Sequence, residues 1–213
     1  MKKIAVIDYD MSNLFSVKNA FLKVGKDVTI TNDPEFVMKA DGIVLPGVGS
    51  FGRAMDSLKE LNLIEIIKNK IKNKIPFFGI CLGMHLLLDR SEEFGENLGL
   101  GIIKGDVKKI SDFDTVIKVP HVGWNKIISV EKLMWEKSPL SNVNNEEFMY
   151  FVHSYCVKPT EHDIILSKTV YEKVEFCSSI LKENIFATQF HPEKSGEIGL
   201  EIYRNWLIKN DLR

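Results

Sequence analysis

Two short segments carry the residue types of a nucleophile, a base and an orienting acid. The first is Pro76-Phe77-Phe78-Gly79-Ile80-Cys81-Leu82-Gly83-Met84-His85, and the second is Gln189-Phe190-His191-Pro192-Glu193-Lys194-Ser195. An apolar run ends at Cys81, with Gly79 and Gly83 at i−2 and i+2. That spacing suits a sharp strand-to-helix turn that pushes the middle side chain outward. A thiolate attacks where a thiol does not, so a nucleophilic cysteine needs access and a lowered pKa. The free N–H groups at a helix start favour the negative charge. Taken alone, Cys81 is also compatible with a core cysteine, since free Cys is among the most buried residue types. His191 and Glu193 change the balance. A carboxylate on one imidazole nitrogen fixes the tautomer and leaves the other nitrogen to take the thiol proton. Pro192 stiffens the link between them.

These residues need elements to hold them. Residues 4–7, 28–31, 42–45 and 75–80 read as strands, and 13–24, 51–59 and 63–72 as helices, with another helix opening over 82–88. Asn32-Asp33-Pro34 reads as a turn. Strand and helix alternate, which predicts a parallel sheet covered on both faces. In the second half, residues 101–110, 115–119, 148–152, 164–170, 174–181 and 186–190 are strand-like, which adds an antiparallel extension. A last helix is expected over 196–209. His191 then stands at the carboxyl edge of the sheet, where sites of open α/β sheets collect. Pro46-Gly47-Val48-Gly49 also ends a strand, and an N–H there can complete an oxyanion hole with that of Leu82.

The totals narrow the function classes. The 213 residues are 45% hydrophobic, enough for one domain spanning 1–213 with a real core. Lys+Arg number 28 against 29 Asp+Glu, a balance that argues against a nucleic-acid binder. No apolar run nears the roughly 20 residues that span a bilayer, and the N-terminal run is too short for a signal peptide. A cytoplasmic protein is expected. Cys81, Cys156 and Cys177 form neither a disulfide framework nor a metal-ligand cluster. Cys156 and Cys177, in strand-like segments, read as core cysteines.

The Gly-x-Cys-x-Gly elbow, the later His-Pro-Glu and the early Pro-Gly strand end, in this order, resemble the class I (triad) glutamine amidotransferases over essentially the whole chain. Within that family the chain is most similar to the glutaminase subunits of imidazole glycerol phosphate synthases. The further marks are Asp8-Tyr9, Asn13-Leu14, Ser16-Val17, Ser91-Glu92-Glu93, Pro120-His121-Val122-Gly123-Trp124-Asn125 and Tyr150-Phe151-Val152-His153-Ser154-Tyr155. The resemblance implies a flavodoxin-like fold of the amidotransferase type, with a mostly parallel central sheet. It implies that Cys81 attacks the side-chain amide of glutamine, His191 moves the proton and Glu193 orients it. Gly47, Val48, Gly49 and Leu82 would serve the oxyanion, with Val48 as the peptide that reorients. Tyr150, Ser154 and Tyr155 would line the glutamine pocket, or else form a cross-strand cluster.

The resemblance further implies no metal and no organic cofactor. The ammonia would pass to a (β/α)8-barrel cyclase subunit in a heterodimer, for histidine biosynthesis. Asn13, His121, Trp124 and Asn125 would face that partner, the last two from a loop between strands; Asn13 also suits a helix N-cap. A paralogous subunit feeding a cyclase-like partner in surface-sugar synthesis is a second expectation, and an inactive scaffold of the same fold a third. One position departs from the family: His85 stands where glutamine usually helps to hold the substrate.

Overall fold

The structure is a computed structural model describing residues 2–10, 13–113 and 116–213. Strands β1 (Ile4–Ile7), β2 (Thr29–Thr31), β3 (Gly42–Gly47) and β4 (Phe77–Cys81) alternate with helices α1 (Leu14–Lys23), α2 (Pro34–Lys39), α3 (Phe51–Glu60) and α4 (Ile64–Lys72). Every residue of β1, β3 and β4 is buried. Their unbroken apolar runs are what a strand covered on both faces requires. An eight-stranded sheet runs β2-β1-β3-β4, then Ile185–Thr188, Val174–Lys182, Ile165–Tyr171 and Ile128–Ser129. Pairing is parallel from β2 through Ile185–Thr188 and antiparallel beyond.

Alternate residues point to opposite faces and build separate cores. On one face Ile4, Val6, Val44, Phe78 and Ile80 pack with Val17 and Phe21 of α1 and with Tyr203 and Trp206 of the C-terminal helix, Gly196–Lys209. Phe21 meets Tyr203 edge-on at 4.8 Å, and Phe78 lies 5.6 Å from Trp206. On the other face Ala5, Ile7, Ile43, Leu45 and Phe77 pack with Val37, Leu58 and Ile67 of α2, α3 and α4. Burying one such side chain contributes about 1.5–3 kcal/mol. The paired cores hold the carboxyl ends of β3 and β4 in fixed register, with Gly47 opposite Cys81.

Two smaller sheets flank the edge. His121–Lys126 and Phe148–His153 form an antiparallel ribbon. Tyr155–Pro159, Gly105–Lys109, Arg90–Ser91 and Asn97–Leu98 form a four-stranded sheet. Among the described residues no helix is long and apolar enough to cross a membrane.

Several expectations need correction. Asp33 and Pro34 start α2 rather than a turn: the Asp33 carboxylate accepts from Glu35 N and Pro34 takes the first turn, where its missing N–H costs nothing. The helix expected over 82–88 is α5 (Leu82–His85), only four residues long. Beyond it, the carbonyls of Leu86, Leu87 and Leu88 accept from the backbone of residues 100–103, so tertiary partners replace the next helical bonds. The strand expected over 115–119 is absent from the described residues 116–119, where Val116 is 88% exposed and packs in no sheet; Thr115 lies outside the described residues. The strand before His191 ends at Thr188, three residues earlier than the histidine. Gly123-Trp124-Asn125 lies within a strand, not a loop.

Candidate active site

Cys81 closes β4 and opens α5 with φ 52° and ψ −107°. A side chain held there costs on the order of 1–3 kcal/mol. Gly79 and Gly83 permit the turn through close approach. A Cβ on Gly83 would stand 1.7 Å from the Leu45 carbonyl oxygen, and one on Gly79 would stand 2.9 Å from that of Gly83. Gly47 is similarly pinned: its Cβ would fall 2.0 Å from the Tyr9 hydroxyl, which donates to the Pro46 carbonyl at 2.7 Å. Backbone contact between β3, β4 and α5 therefore sets the sulfur's position.

His191 arrives after the bend at Gln189-Phe190. Its backbone N–H donates to the Tyr150 carbonyl at 2.9 Å, and the Ser195 hydroxyl donates to the His191 carbonyl at 2.7 Å. Nδ1 donates to Glu193 Oε1 at 2.7 Å, with both side chains 3% exposed. Nε2 is buried and turned towards Cys81. Burial works against the imidazolium, but its electrostatic and hydrogen-bond interactions with Cys81 and Glu193 outweigh it and push His191 up to about 10. The buried Tyr203 phenol lies against Glu193, and burial with that charge holds it well above its ordinary range.

A second set of groups surrounds the sulfur. As a thiol, Cys81 donates to the Val152 carbonyl at 3.9 Å. Gln189 Nε2 donates to Sγ at 3.7 Å, and Gln189 Oε1 accepts from His85 Nε2 at 2.8 Å. Burial pulls His85 down to about 4 despite that bond, so it is neutral at pH 7. A cavity of about 430 Å³ opens on Cys81, and Val48, Gly49, Leu82, His85, Ser154 and Tyr155 all line it. Gly49 has φ 109° and Val48 is 40% exposed. Among the described residues no group of three or more His, Cys, Asp or Glu is placed to hold a metal ion.

Residues 5–210 match the family model for class-I glutamine amidotransferases. The chain belongs to that family. It is 46% identical to imidazole glycerol phosphate synthase subunit HisH 1 of Methanococcus maripaludis, covering 96% of this chain and 98% of that one. It is 43% identical to the HisH subunit of Sulfurimonas denitrificans, covering 99% and 100%. Among solved structures, PurLQS of Thermotoga maritima superposes with TM-score 0.73 at 18% identity, covering 98% of this chain and 99% of that one. The mostly parallel sheet and its antiparallel edge are thus the fold of this amidotransferase family.

Three positions depart from the roles the sequence suggested. Tyr150 does not line the cavity; its ring lies 6.1 Å from Trp124 and its main chain holds His191 and Ser195. Gly47 is likewise absent from the lining and sits opposite Cys81 in the sheet. His121 is no surface residue: it is 2% exposed and stacked between Phe151 and Tyr171. The period of two along the ribbon explains this. Val122 and Trp124, each 55% exposed, point out, while His121 points in. Asn125 donates to the Val170 carbonyl at 3.0 Å, and Asn13 precedes α1 without a side-chain capping bond.

Sequence reasoning gave no role to Gln189, His153 or Glu93. Gln189 left one signal, an amide near the end of a mostly apolar run. His153 accepts from His121 Nδ1 at 3.0 Å and donates to the Tyr155 carbonyl at 2.8 Å. Glu93 accepts from Phe51 N at the start of α3, and burial raises its carboxyl. Cys156 and Cys177 are buried, and burial pushes Cys156 up to about 12.

The neutral histidines predict acid sensitivity. Burial holds His85 and His121 at about 4 and His153 well below its ordinary 6.5. Unfolded, each takes up a proton near pH 6.5, so between pH 6.5 and 4 the unfolded chain binds more protons and stability is lost as pH is lowered. His85 alone accounts for about 3 kcal/mol across that window. His191, raised to about 10, acts in another window: its contribution is complete below pH 6.5 and is lost as pH rises towards 10. The urea midpoint should therefore drop clearly from pH 7 to pH 5, and less so in His85→Gln. Equal midpoints at both pH values would contradict the neutral burial of these rings.

Proposed function

We propose that this chain is the glutaminase subunit of an imidazole glycerol phosphate synthase, formed as one amidotransferase domain over 1–213. The observation that carries the chemistry is the buried Cys81–His191–Glu193 set opening on a cavity of about 430 Å³. The Cys81 thiolate attacks the side-chain carbonyl carbon of glutamine. The resulting oxyanion is held by the N–H of Leu82 with one from Val48 or Gly49. Protonated His191 gives its proton to the amide nitrogen, the C–N bond breaks, and ammonia leaves a γ-glutamyl thioester on Cys81. Water then attacks the thioester while His191 takes its proton. Glutamate departs and the thiolate–imidazolium pair is restored.

No cofactor takes part. Ser154 and Tyr155 contact the glutamine from the cavity wall. The partner, a (β/α)8-barrel cyclase, docks on the ribbon face of Val122 and Trp124, with Asn13 and Asn125 as further contacts, and receives the ammonia. The relatives named as HisH subunits support this pathway.

The test is twofold. Purified chain with its cyclase should release glutamate and ammonia from glutamine stoichiometrically and faster than the chain alone. The gene pair should also restore growth of a histidine auxotroph. Glutaminase activity without complementation would move the ammonia to a surface-sugar partner. Absence of glutamate release with a bound cyclase would make the chain a scaffold.

A further inference from the structure

His85 occupies the fourth position after the nucleophile and lines the cavity, yet its Nε2 turns to a buried partner. Its Nε2 lies 2.8 Å from Gln189 Oε1, and both side chains are buried, His85 at 6% exposure and Gln189 at 0%. A carboxamide oxygen only accepts, so this contact requires the tautomer with hydrogen on Nε2. In this arrangement Oε1 is taken by His85 and the amino group of Gln189 faces Cys81 Sγ at 3.7 Å. Turned over, the amide would aim its oxygen at the sulfur and repel a thiolate.

Two main groups of opposite effect thus meet at the sulfur. The Val152 carbonyl, at 3.9 Å, accepts from the thiol and favours the neutral form. The Gln189 amino group donates and favours the anion. We propose that His85 is a positioning residue that locks the Gln189 amide with its N–H towards Cys81, so that Gln189 donates a hydrogen bond to the thiolate and the chain His85–Gln189–Cys81 poises the nucleophile. His191 supplies the counter-charge, and this second arm supplies a neutral donor that needs no titration of its own. The consequence for turnover rests on the glutaminase chemistry proposed above; the test does not.

The other titratable groups near the sulfur are His191 with Glu193 behind it, Tyr9, and, on the cavity wall, Glu93, His153 and Tyr155. All are left intact by substitution at His85. The readout is the pH dependence of Cys81 alkylation by iodoacetamide in the full chain, with Cys81→Ala as the background for Cys156 and Cys177. His85→Leu should raise the midpoint by about one unit, cutting the rate below the midpoint roughly tenfold, the size of one hydrogen bond to a charged group. His85→Gln, whose amide keeps a donor for Gln189, should stay near the wild-type midpoint. Gln189→Leu should match His85→Leu, and the double variant should go no further than Gln189→Leu.

An unmoved midpoint in His85→Leu overturns the proposal, as do additive shifts in the double variant or an equal loss in His85→Gln. Should the leucine variants not fold, the side-chain amide NMR signals of Gln189 decide. They should move between wild type and Cys81→Ala, and unmoved signals overturn the proposal. An unshifted midpoint beside normal glutamate release sinks this positioning role alone. A shifted midpoint without glutamate release sinks the glutaminase function alone.

Discussion

Cys81→Ala should abolish glutamine hydrolysis, lowering glutamate release by at least about 10⁴-fold, because Cys81 is the cavity nucleophile that His191 faces. The folded chain should survive, since backbone contact among β3, β4 and α5, not the thiol, sets the turn. Binding of the cyclase should survive as well, which separates loss of chemistry from loss of fold. The backbone adds a second expectation. At φ 52° any side chain is strained, so Cys81→Gly should be at least as stable as Cys81→Ala. At an ordinary helical position glycine is the worse of the two by about 1 kcal/mol. Thermal melts of the two variants decide this, and a clearly less stable glycine variant would show that the turn stores no strain. Residual glutamate release within tenfold of wild type in Cys81→Ala would remove Cys81 as nucleophile.

Glu193→Gln should cost about 10³–10⁴-fold in kcat, comparable to the loss when the orienting acid of a serine-protease triad becomes its amide. The carboxylate accepts from His191 Nδ1 at 2.7 Å and helps to hold the imidazolium up to about pH 10. An amide does neither reliably. If its amino group turns to Nδ1, the ring keeps its hydrogen on Nε2 and a neutral imidazole then has no lone pair towards the thiol. With the carboxylate gone the imidazolium loses its proton at lower pH. The leaving ammonia then lacks its acid. The residual activity should thus fall from neutral pH upward, where the native enzyme holds steady. A kcat–pH profile measured with the cyclase present checks this. A profile of wild-type shape and height would leave Glu193 without its orienting role.

Much of this arrangement was legible in residue order because its causes are local. A short apolar run without alternation, as in 4–7 or 75–80, suits a strand buried on both faces, and its length disfavours a helix. The Gly79 and Gly83 spacing encodes close backbone approach, and the structure shows what it approaches, the Leu45 carbonyl. Where partners come from far along the chain, local pattern failed. Residues 86–88 continue a helical apolar pattern, but their carbonyls are taken by residues 100–103. His121 was read as surface beside Trp124, yet one residue of register in a two-stranded ribbon sends it to the opposite face. Asp33-Pro34 begins a helix as readily as a turn, and the helical bond from Val37 N–H to the Asp33 carbonyl distinguishes them. The Gln189 amide was invisible for another reason. Its meaning lies in an orientation set by a histidine 104 positions away.

The ribbon has an optical consequence. Of the three tryptophans, Trp135 is 5% exposed and Trp206 fully buried, whereas Trp124 is 55% exposed on the ribbon's outer face. Its neighbour across the ribbon, Tyr150, carries the carbonyl that receives the His191 N–H. The red edge of the chain's fluorescence emission therefore originates almost entirely from one indole, and that indole is one strand removed from the base. Anything that covers the ribbon shifts that emission to the blue, so docking on this face can be followed in unlabelled protein while turnover proceeds.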